Sequence, residues 1–372
     1  EENSLLYDDH YRNPTLLNNI DPTFRSYGDI HTGSWFLNAY KNKCTTQIDI
    51  LLPIMIFIDG TNIDPSGNLT LEAVLVTLGI FNVSQRNKPS SWRLLGYLND
   101  PNTEGIGNPN YKRKDQISKK NDYHHNLSYI LEGIHQLEQN DGILWNVTSK
   151  DKKSLSTIRF KPVLMLVMGD AVGLDKVCDM YQSYNSKTTK YICRDCDCPS
   201  DSLNDYKHKC SITLRSELLK MSEEEMKERC FYKTLNNAFD RHDFGGDYSG
   251  INGCSPPELL HQFLEGIVKK MMTYIFNSLS VPGMELINDL AKYISTRWHR
   301  QSNRQYPNIF LFKDGINKKM LTADEVGYQL FMLYLVLQQT YIMNELPLLE
   351  SNAQFRTKVV KKPCDDNDLL NN

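Results

Sequence analysis

Apolar positions along the chain change period several times, and each change marks an element. Residues 1 to 45 are rich in Asn, Tyr, Asp and Thr without sustained periodicity, and are expected to form an irregular lead-in. Ile48 to Ile58 is then a nearly continuous apolar run that halts at Asp59-Gly60-Thr61. Such a run suits a central strand covered on both faces. A second run, Leu69 to Phe81, carries Val74, Val76 and Ile80 and follows the turn residues Asp64-Pro-Ser-Gly67, so a hairpin partner is expected. A third, Trp92 to Leu98, completes an antiparallel meander. Leu127, Ile130, Leu131, Ile134 and Leu137 recur at steps of three and four, which predicts an amphipathic helix. After the break at Asp141-Gly142, Pro162 to Met168 reads as another buried strand ending at Gly169-Asp170, with a helix expected from Leu174 to Tyr184. A long helix opens at Cys254-Ser-Pro-Pro-Glu-Leu-Leu-His261, with both prolines in its first turn, and the chain beyond Leu279 reads as helical.

Strand, strand, strand, helix, strand, helix is the order of a ribonuclease-H-like domain. The fold class expected is therefore α/β, a mixed sheet interrupted by a mainly helical insertion that bears a Cys-x-x-Cys knuckle. In that order the first strand and the strand ending at Met168 lie side by side and parallel. Asp59 and Asp170 would then converge at one edge of the sheet, where open sheets place their ligands. Two carboxylates so close repel one another unless a cation shares them, and their all-oxygen donor set suits Mg²⁺ or Mn²⁺. Ions held this way serve phosphodiester cleavage. The plainer reading is that each aspartate begins a turn, since Asp-Gly is a common turn dipeptide.

Composition narrows the classes. At 372 residues with 40% hydrophobic and 23% charged side chains, the chain is globular and long enough for two or three domains. Lys+Arg 42 against Asp+Glu 45 gives a net charge of −3, which excludes a uniformly basic nucleic-acid coat. No run of 18 apolar residues occurs, so a helical membrane span is excluded. The chain opens on Glu1 and both ends look cut, so it reads as an internal piece of something longer. Nine cysteines, three of them between Cys193 and Cys198, favour a metal site in a reducing compartment over a disulfide scaffold.

Cys193-x-x-Cys196 supplies half of a tetrahedral Zn²⁺ site. The remaining ligands are open among Cys198, His208, Cys210, Cys254, His261 and His299, and a pair of free thiols is the alternative. Glu258 and His261 share a helix face, as do His261 and Glu265. That trio suits a metal or a phosphate, and equally a capping acid beside a core histidine. Arg297, His299, Arg300 and Arg304, then Lys313, Lys318 and Lys319, interleave with Tyr293, Trp298 and Tyr306. A basic stripe with stacking rings fits a nucleic-acid backbone, and a solvated helix face looks much the same.

Several stretches occur together in a telling order. They are Pro53-Ile-Met-Ile-Phe-Ile-Asp-Gly-Thr61, Leu69-Thr-Leu-Glu-Ala-Val-Leu-Val-Thr-Leu-Gly-Ile-Phe-Asn82 and Ser91-Trp-Arg-Leu-Leu-Gly-Tyr97. Asp122-Tyr-His-His-Asn-Leu-Ser-Tyr-Ile-Leu-Glu132 and Val163-Leu-Met-Leu-Val-Met-Gly-Asp-Ala-Val-Gly-Leu-Asp-Lys176 follow. Cys193-Arg-Asp-Cys-Asp-Cys-Pro199 and Pro257-Glu-Leu-Leu-His-Gln-Phe-Leu-Glu-Gly-Ile267 close the set. The chain resembles, over roughly residues 30 to 340, the Plavaka group of cut-and-paste DNA transposases, relatives of the Kyakuja–Dileera–Zisupton and CACTA-type enzymes. The resemblance implies a nuclear, metal-dependent enzyme that cleaves DNA and transfers strands by a DDE mechanism, with transposon ends and target DNA as partners and self-association. Asp59 and Asp170 look like the first two acidic residues of the triad, and Glu325, ahead of Glu345 and Glu350, is the best-placed third within the chain. Cys193 and Cys196 look like the zinc knuckle, with Cys198, His261 and His299 as further ligand candidates. Glu258-x-x-His261 looks like the acid-x-x-His motif of an insertion domain, and Arg297, Arg300, Arg304, Lys318 and Lys319 are candidates for DNA contact. The expected organisation is a lead-in to residue 45, the first part of the catalytic core over 46–185, the insertion over 186–320 and the returning core over 321–372. The third acid is alternatively expected beyond Asn372, which would leave the triad incomplete.

Two other classes compete. Phe57-Ile58-Asp59-Gly60-Thr61 and Gly169-Asp170 through Asp175 imitate a haloacid-dehalogenase-type phosphatase, but Phe57 stands at the nucleophile position and cannot form an aspartyl-phosphate. A transposase relic that binds DNA or protein without catalysis would keep the fold and lose the chemistry.

Overall fold

A computed structural model describes residues 28–62, 70–99, 115–148, 155–180, 323–342 and 190–297, the last apart from 192, 203, 204, 206, 235, 248, 279 and 280. It divides into two compact units, Glu1–Pro256 and Pro257–Asn372. The residues expected to form one insertion, 186–320, are thus shared between the units.

In the first unit, helix α1 (Ser34–Lys43) precedes strands β1 (Asp49–Asn62), β2 (Thr70–Leu78) and β3 (Arg93–Asn99). Helix α2 (Asp115–Gln139), strands β4 (Ile143–Thr148) and β5 (Leu155–Met168), and helix α3 (Ala171–Val177) follow. The five strands form one mixed sheet in the order β3-β2-β1-β5-β4. β1 pairs antiparallel with β2, β2 antiparallel with β3, and β1 parallel with β5.

Strand alternation sends Ile54, Ile56 and Ile58 to one face, where they pack with Leu127, Leu131 and Ile134 of α2 and Leu174 and Val177 of α3. Ala238, Phe239, Phe244, Ile251 and Cys254 complete the same core, so the chain after residue 190 is built into the sheet unit. A second cluster joins Phe36 and Ala39 of α1 to Ile50, Leu51, Ile80 and Val163.

Three features depart from the expected elements. The lead-in holds α1, whose apolar positions Phe36, Leu37 and Ala39 span barely one turn and so carry no sustained period. β4 is an additional edge strand hairpinned to residues 155–160 of β5. That half of β5 carries Ser156, Thr157 and Arg159, which break its apolar run, and β4 opens on only three apolar residues, Ile143-Leu144-Trp145, of which Leu144 and Trp145 stay exposed. The helix expected to reach Tyr184 ends at Val177, because Asp179 turns the backbone to φ 62° and buries its carboxylate.

The second unit contains a π-wound stretch Leu259–Val268 that runs into α4 (Lys269–Ser278), followed by α5 (Val281–Arg297) and α6 (Ala323–Ile342). Val268, Met272 and Phe276 pack with Ile287, Ala291 and Ile294 of α5 and Val326, Met332 and Val336 of α6. Among the described residues no helix is long and apolar enough to cross a membrane.

Candidate functional site

The parallel pairing of β1 with β5 runs to Phe57 opposite Met168. Two residues further along each strand stand Asp59 and Asp170, so both carboxylates belong to the same end of adjacent strands. The strands stay in close contact past the last ladder pair. A Cβ placed on Gly169 would lie 2.5 Å from the carbonyl oxygen of Ile58, closer than any side chain tolerates. Gly169 therefore allows the backbone just before Asp170 to rest on the backbone just before Asp59.

Asp59 lies inside β1 and is half-buried; alternation puts it on the face of Phe57, whose ring meets Trp92 edge-on at 6.3 Å. Asp170, also half-buried, caps α3 by accepting a hydrogen bond from the Gly173 amide. A carboxylate offers two oxygens and about four lone-pair sites, so capping leaves it acceptor capacity. Both the turn-forming role and a metal-ligating role are thus compatible with its position. The two residues together supply oxygen donors only, which fits a hard divalent cation rather than zinc.

Around this end of the sheet stand charged residues that the apolar pattern does not announce. Glu72 of β2 lies opposite Gly60, the neighbour of Asp59, and its carboxylate pairs with the Lys176 ammonium from α3. Both side chains are buried. Asp175 accepts a hydrogen bond from the Arg194 guanidinium at 2.9 Å, and Arg194 also donates to the Ser255 carbonyl. Asp179, fully buried, accepts hydrogen bonds from Arg215 at 2.9 Å, Thr234 at 2.9 Å and Asn237 at 2.8 Å, with His124 Nε2 2.8 Å away. Burial alone would raise its pKa, but His124, Arg215 and Asn237 hold the carboxyl well below the usual range. The one available sequence signal for Glu72 is a charged residue inside an apolar strand run; nothing local marks Asp179.

The cysteine segment forms its own small structure. Asp197 N–H donates to the Ser211 carbonyl and Thr213 N–H to that of Asp195, which folds residues 211–213 back along 195–197. An isolated antiparallel bridge pairs Cys196 with Ile212, which brings the chain that carries Cys210 back toward Cys196. Burial pushes the thiols of Cys193 and Cys196 upward, so both are protonated at neutral pH. Cys198 is buried and turns toward the Pro199 carbonyl instead. Cys254 belongs to the main core, where burial raises its thiol strongly.

The other sequence candidates belong to the second unit. Glu258 is half-buried ahead of the π-wound stretch, and His261 lies within that stretch with its side chain outside the described residues. Glu325 sits half-buried in the first turn of α6. Arg297 is the last residue of α5, its side chain likewise outside the described residues. His299, Arg300, Arg304, Lys318 and Lys319 lie outside them altogether.

Comparison with known proteins adds one match. No curated protein matches the sequence. The family model described as Plavaka transposase matches residues 10–275, a stretch that contains the whole sheet, both aspartates and the cysteine segment. The chain belongs to the Plavaka transposase family.

Proposed function

We propose that the chain carries the catalytic core of a cut-and-paste DNA transposase, a ribonuclease-H-like sheet that cleaves and joins phosphodiesters at the Asp59 and Asp170 end. The observation that carries the reading is the parallel β1–β5 pairing, in register to the second residue before each aspartate. Family membership makes DNA the natural partner, with transposon ends and target as its two forms. It also sets the phosphatase alternative aside, as does the antiparallel β1–β2–β3 meander where such a phosphatase would need alternating strands and helices.

In this mechanism the Asp59 and Asp170 carboxylates would hold Mg²⁺ or Mn²⁺ through oxygen alone. The bound ion would supply Lewis acidity, activating water or a DNA 3′-hydroxyl and steadying the leaving oxygen. The chain's own contribution is positioning. Gly169 brings the two backbones together, α3 fixes Asp170 through the Gly173 amide, and the buried Glu72–Lys176 pair ties β2 to α3 beside Asp59. Attack occurs directly on phosphorus, so no nucleophilic side chain is required, in keeping with Phe57 at the position before Ile58. The resemblance makes Glu325 the best-placed third acid within the chain, with a position beyond Asn372 as the alternative, and nuclear residence follows from the DNA substrate. Arg297, Arg300, Arg304, Lys318 and Lys319 are the proposed contacts to the DNA backbone.

Purified protein should nick DNA with Mg²⁺ or Mn²⁺, and Asp59→Ala or Asp170→Asn should each reduce nicking to background, with the melting temperature of Asp170→Asn close to that of the parent because asparagine can still cap α3. Activity that survives both substitutions would falsify the assignment. An inactive parent that still binds DNA would instead favour the relic reading, in which Asp170 serves α3 as a cap alone.

We further infer a structural Zn²⁺ held by Cys193 and Cys196, with Cys210 as the third thiolate. The support is the Cys-x-x-Cys spacing together with the back-folded 195–213 segment, whose bridge between Cys196 and Ile212 returns the chain that carries Cys210 toward Cys196. Elemental analysis should find zinc in the parent and one equivalent less in Cys193→Ser; equal content in the two would remove the site.

A further inference from the structure

The inner end of α2 holds a second group of side chains with metal-ligand chemistry, unlike that of either site above. His135 and Glu138 lie three apart on one face of α2, and His242 reaches them from the loop after Phe239. One ligand atom from each of the three lies within 4.8 Å of the others. Ligands bound at about 2.0–2.1 Å around a tetrahedral zinc stand roughly 3.3 Å apart, so small rotamer adjustments close the set.

Three observations make this more than a chance meeting of polar groups. The Glu138 and His242 side chains are only 8% and 1% exposed, and His242 Nδ1 lies 2.5 Å from Glu138 Oε2. The other Glu138 oxygen accepts the Leu164 amide at 2.6 Å. β4 covers β5 only as far as Phe160, so among the described residues Leu164 lies on a flank without a neighbouring strand, and the carboxylate completes that flank while being fixed in orientation. Finally, His135 Nδ1 is buried without a hydrogen-bond partner, and its ring lies 5.6 Å from that of His242. An orphaned buried nitrogen is unfavourable and calls for an explanation. A simple Glu138–His242 ion pair explains two of the three groups and leaves His135 without one.

We propose that His135, Glu138 and His242 bind a divalent transition-metal ion, Zn²⁺ being the best fit, which clamps α2 to the loop carrying His242. Two imidazoles and one carboxylate suit zinc and are poor ligands for Mg²⁺, which prefers oxygen. Phe239 and Phe244 flank the His242 ring and give the site an apolar wall. Three protein ligands leave a position for water. The clamp is remote from the proposed nuclease site: Leu164 precedes Asp170 by six residues, or roughly 20 Å of strand. It stands or falls independently of the nuclease reading.

The test uses the full chain, stripped with a chelator and reloaded with Zn²⁺ or Co²⁺, and compared with His135→Asn. That substitution leaves the Glu138 bonds to His242 and Leu164 in place, so the variant should fold, as circular dichroism would verify. After gel filtration the parent should carry one more zinc equivalent than His135→Asn, and zinc should raise its melting temperature further. In Cys193→Ser, cobalt should still give visible d–d absorption without the near-ultraviolet charge transfer that thiolates produce. Equal zinc content and equal thermal shifts in parent and His135→Asn would overturn the proposal. Should His135→Asn fail to fold, the cobalt spectrum decides: thiolate-free absorption in Cys193→Ser supports the site, and its absence overturns it.

Discussion

The central sheet and the 190–256 segment belong to one compact unit, yet different forces hold them. The sheet buries Ile54, Ile56 and Ile58 against α2 and α3 with hardly a polar atom among them. The segment adds Phe239 and Phe244 to that core, but its fixed points are ion pairs: Arg194 with Asp175, and Arg215 with Asp179 and Asp240. Apolar burial is non-directional and tolerates repacking. A buried charge whose partner is removed has no such tolerance.

The contrast orders the expected effects. Asp179→Ala strips Arg215 and His124 of their shared carboxylate and should cost about 3–5 kcal/mol of unfolding free energy in urea. Ile56→Ala, a truncation at the centre of the sheet, should cost somewhat less, on the order of 3 kcal/mol, through lost burial and a cavity. The double variant Asp179→Ala with Arg215→Met should recover part of the first loss, whereas adding Arg215→Met to Ile56→Ala should not help. If Asp179→Ala proves milder than Ile56→Ala, the segment is held by its apolar residues after all.

The same contrast explains what was legible in the sequence. β1, β2, β3, the apolar half of β5 and the periodic part of α2 are visible because burial repeats every two or every three to four residues. The parallel pairing of the strands that lead to Asp59 and Asp170 followed from strand order alone. Asp179 and Arg215 stand 36 residues apart with no local pattern to join them. Glu72 and Lys176, 104 apart, are the same case. His135, Glu138 and His242 escaped for a mixed reason: two share a helix face, but the third arrives through a turn that no periodicity foretells. α1 escapes because its buried positions, Phe36, Leu37 and Ala39, fall within about one turn of the helix and establish no period.

Acid should probe the rim of the sheet before its core. Burial would raise Asp49, but hydrogen bonds from Arg159 and from the Thr46 and Thr45 amides hold it at about 2, against 3.8 in an unstructured chain. The folded state therefore binds this proton less readily than the unfolded one. The resulting stability is complete above about pH 4 and drains away as pH falls toward 2. Asp49→Asn should flatten part of the acid limb of the stability curve, and an unchanged limb would mean that other carboxylates, Asp179 foremost, dominate it.

The smallest effect is expected where the segment relies on a helix cap and not on a buried charge. Ser222 and Glu225 form a reciprocal cap on the short helix Glu223–Glu228: the Ser222 hydroxyl accepts the Glu225 amide, and the Glu225 carboxylate accepts the Ser222 amide at 2.7 Å. Glu223, Glu224 and Glu225 also place negative charge at the positive end of the helix. Only Met226 of this helix is buried, packed with Met180, Leu218, Cys230 and Phe231. Ser222→Ala should accordingly cost about 1 kcal/mol and speed amide exchange within this turn alone, with Ser222→Asp restoring protection because its carboxylate can cap the same amides. Faster exchange that spreads to the amides around Asp179 would mean that the small cluster and the ion-pair network unfold together, and that the segment is one cooperative piece whose weakest fastening is this cap.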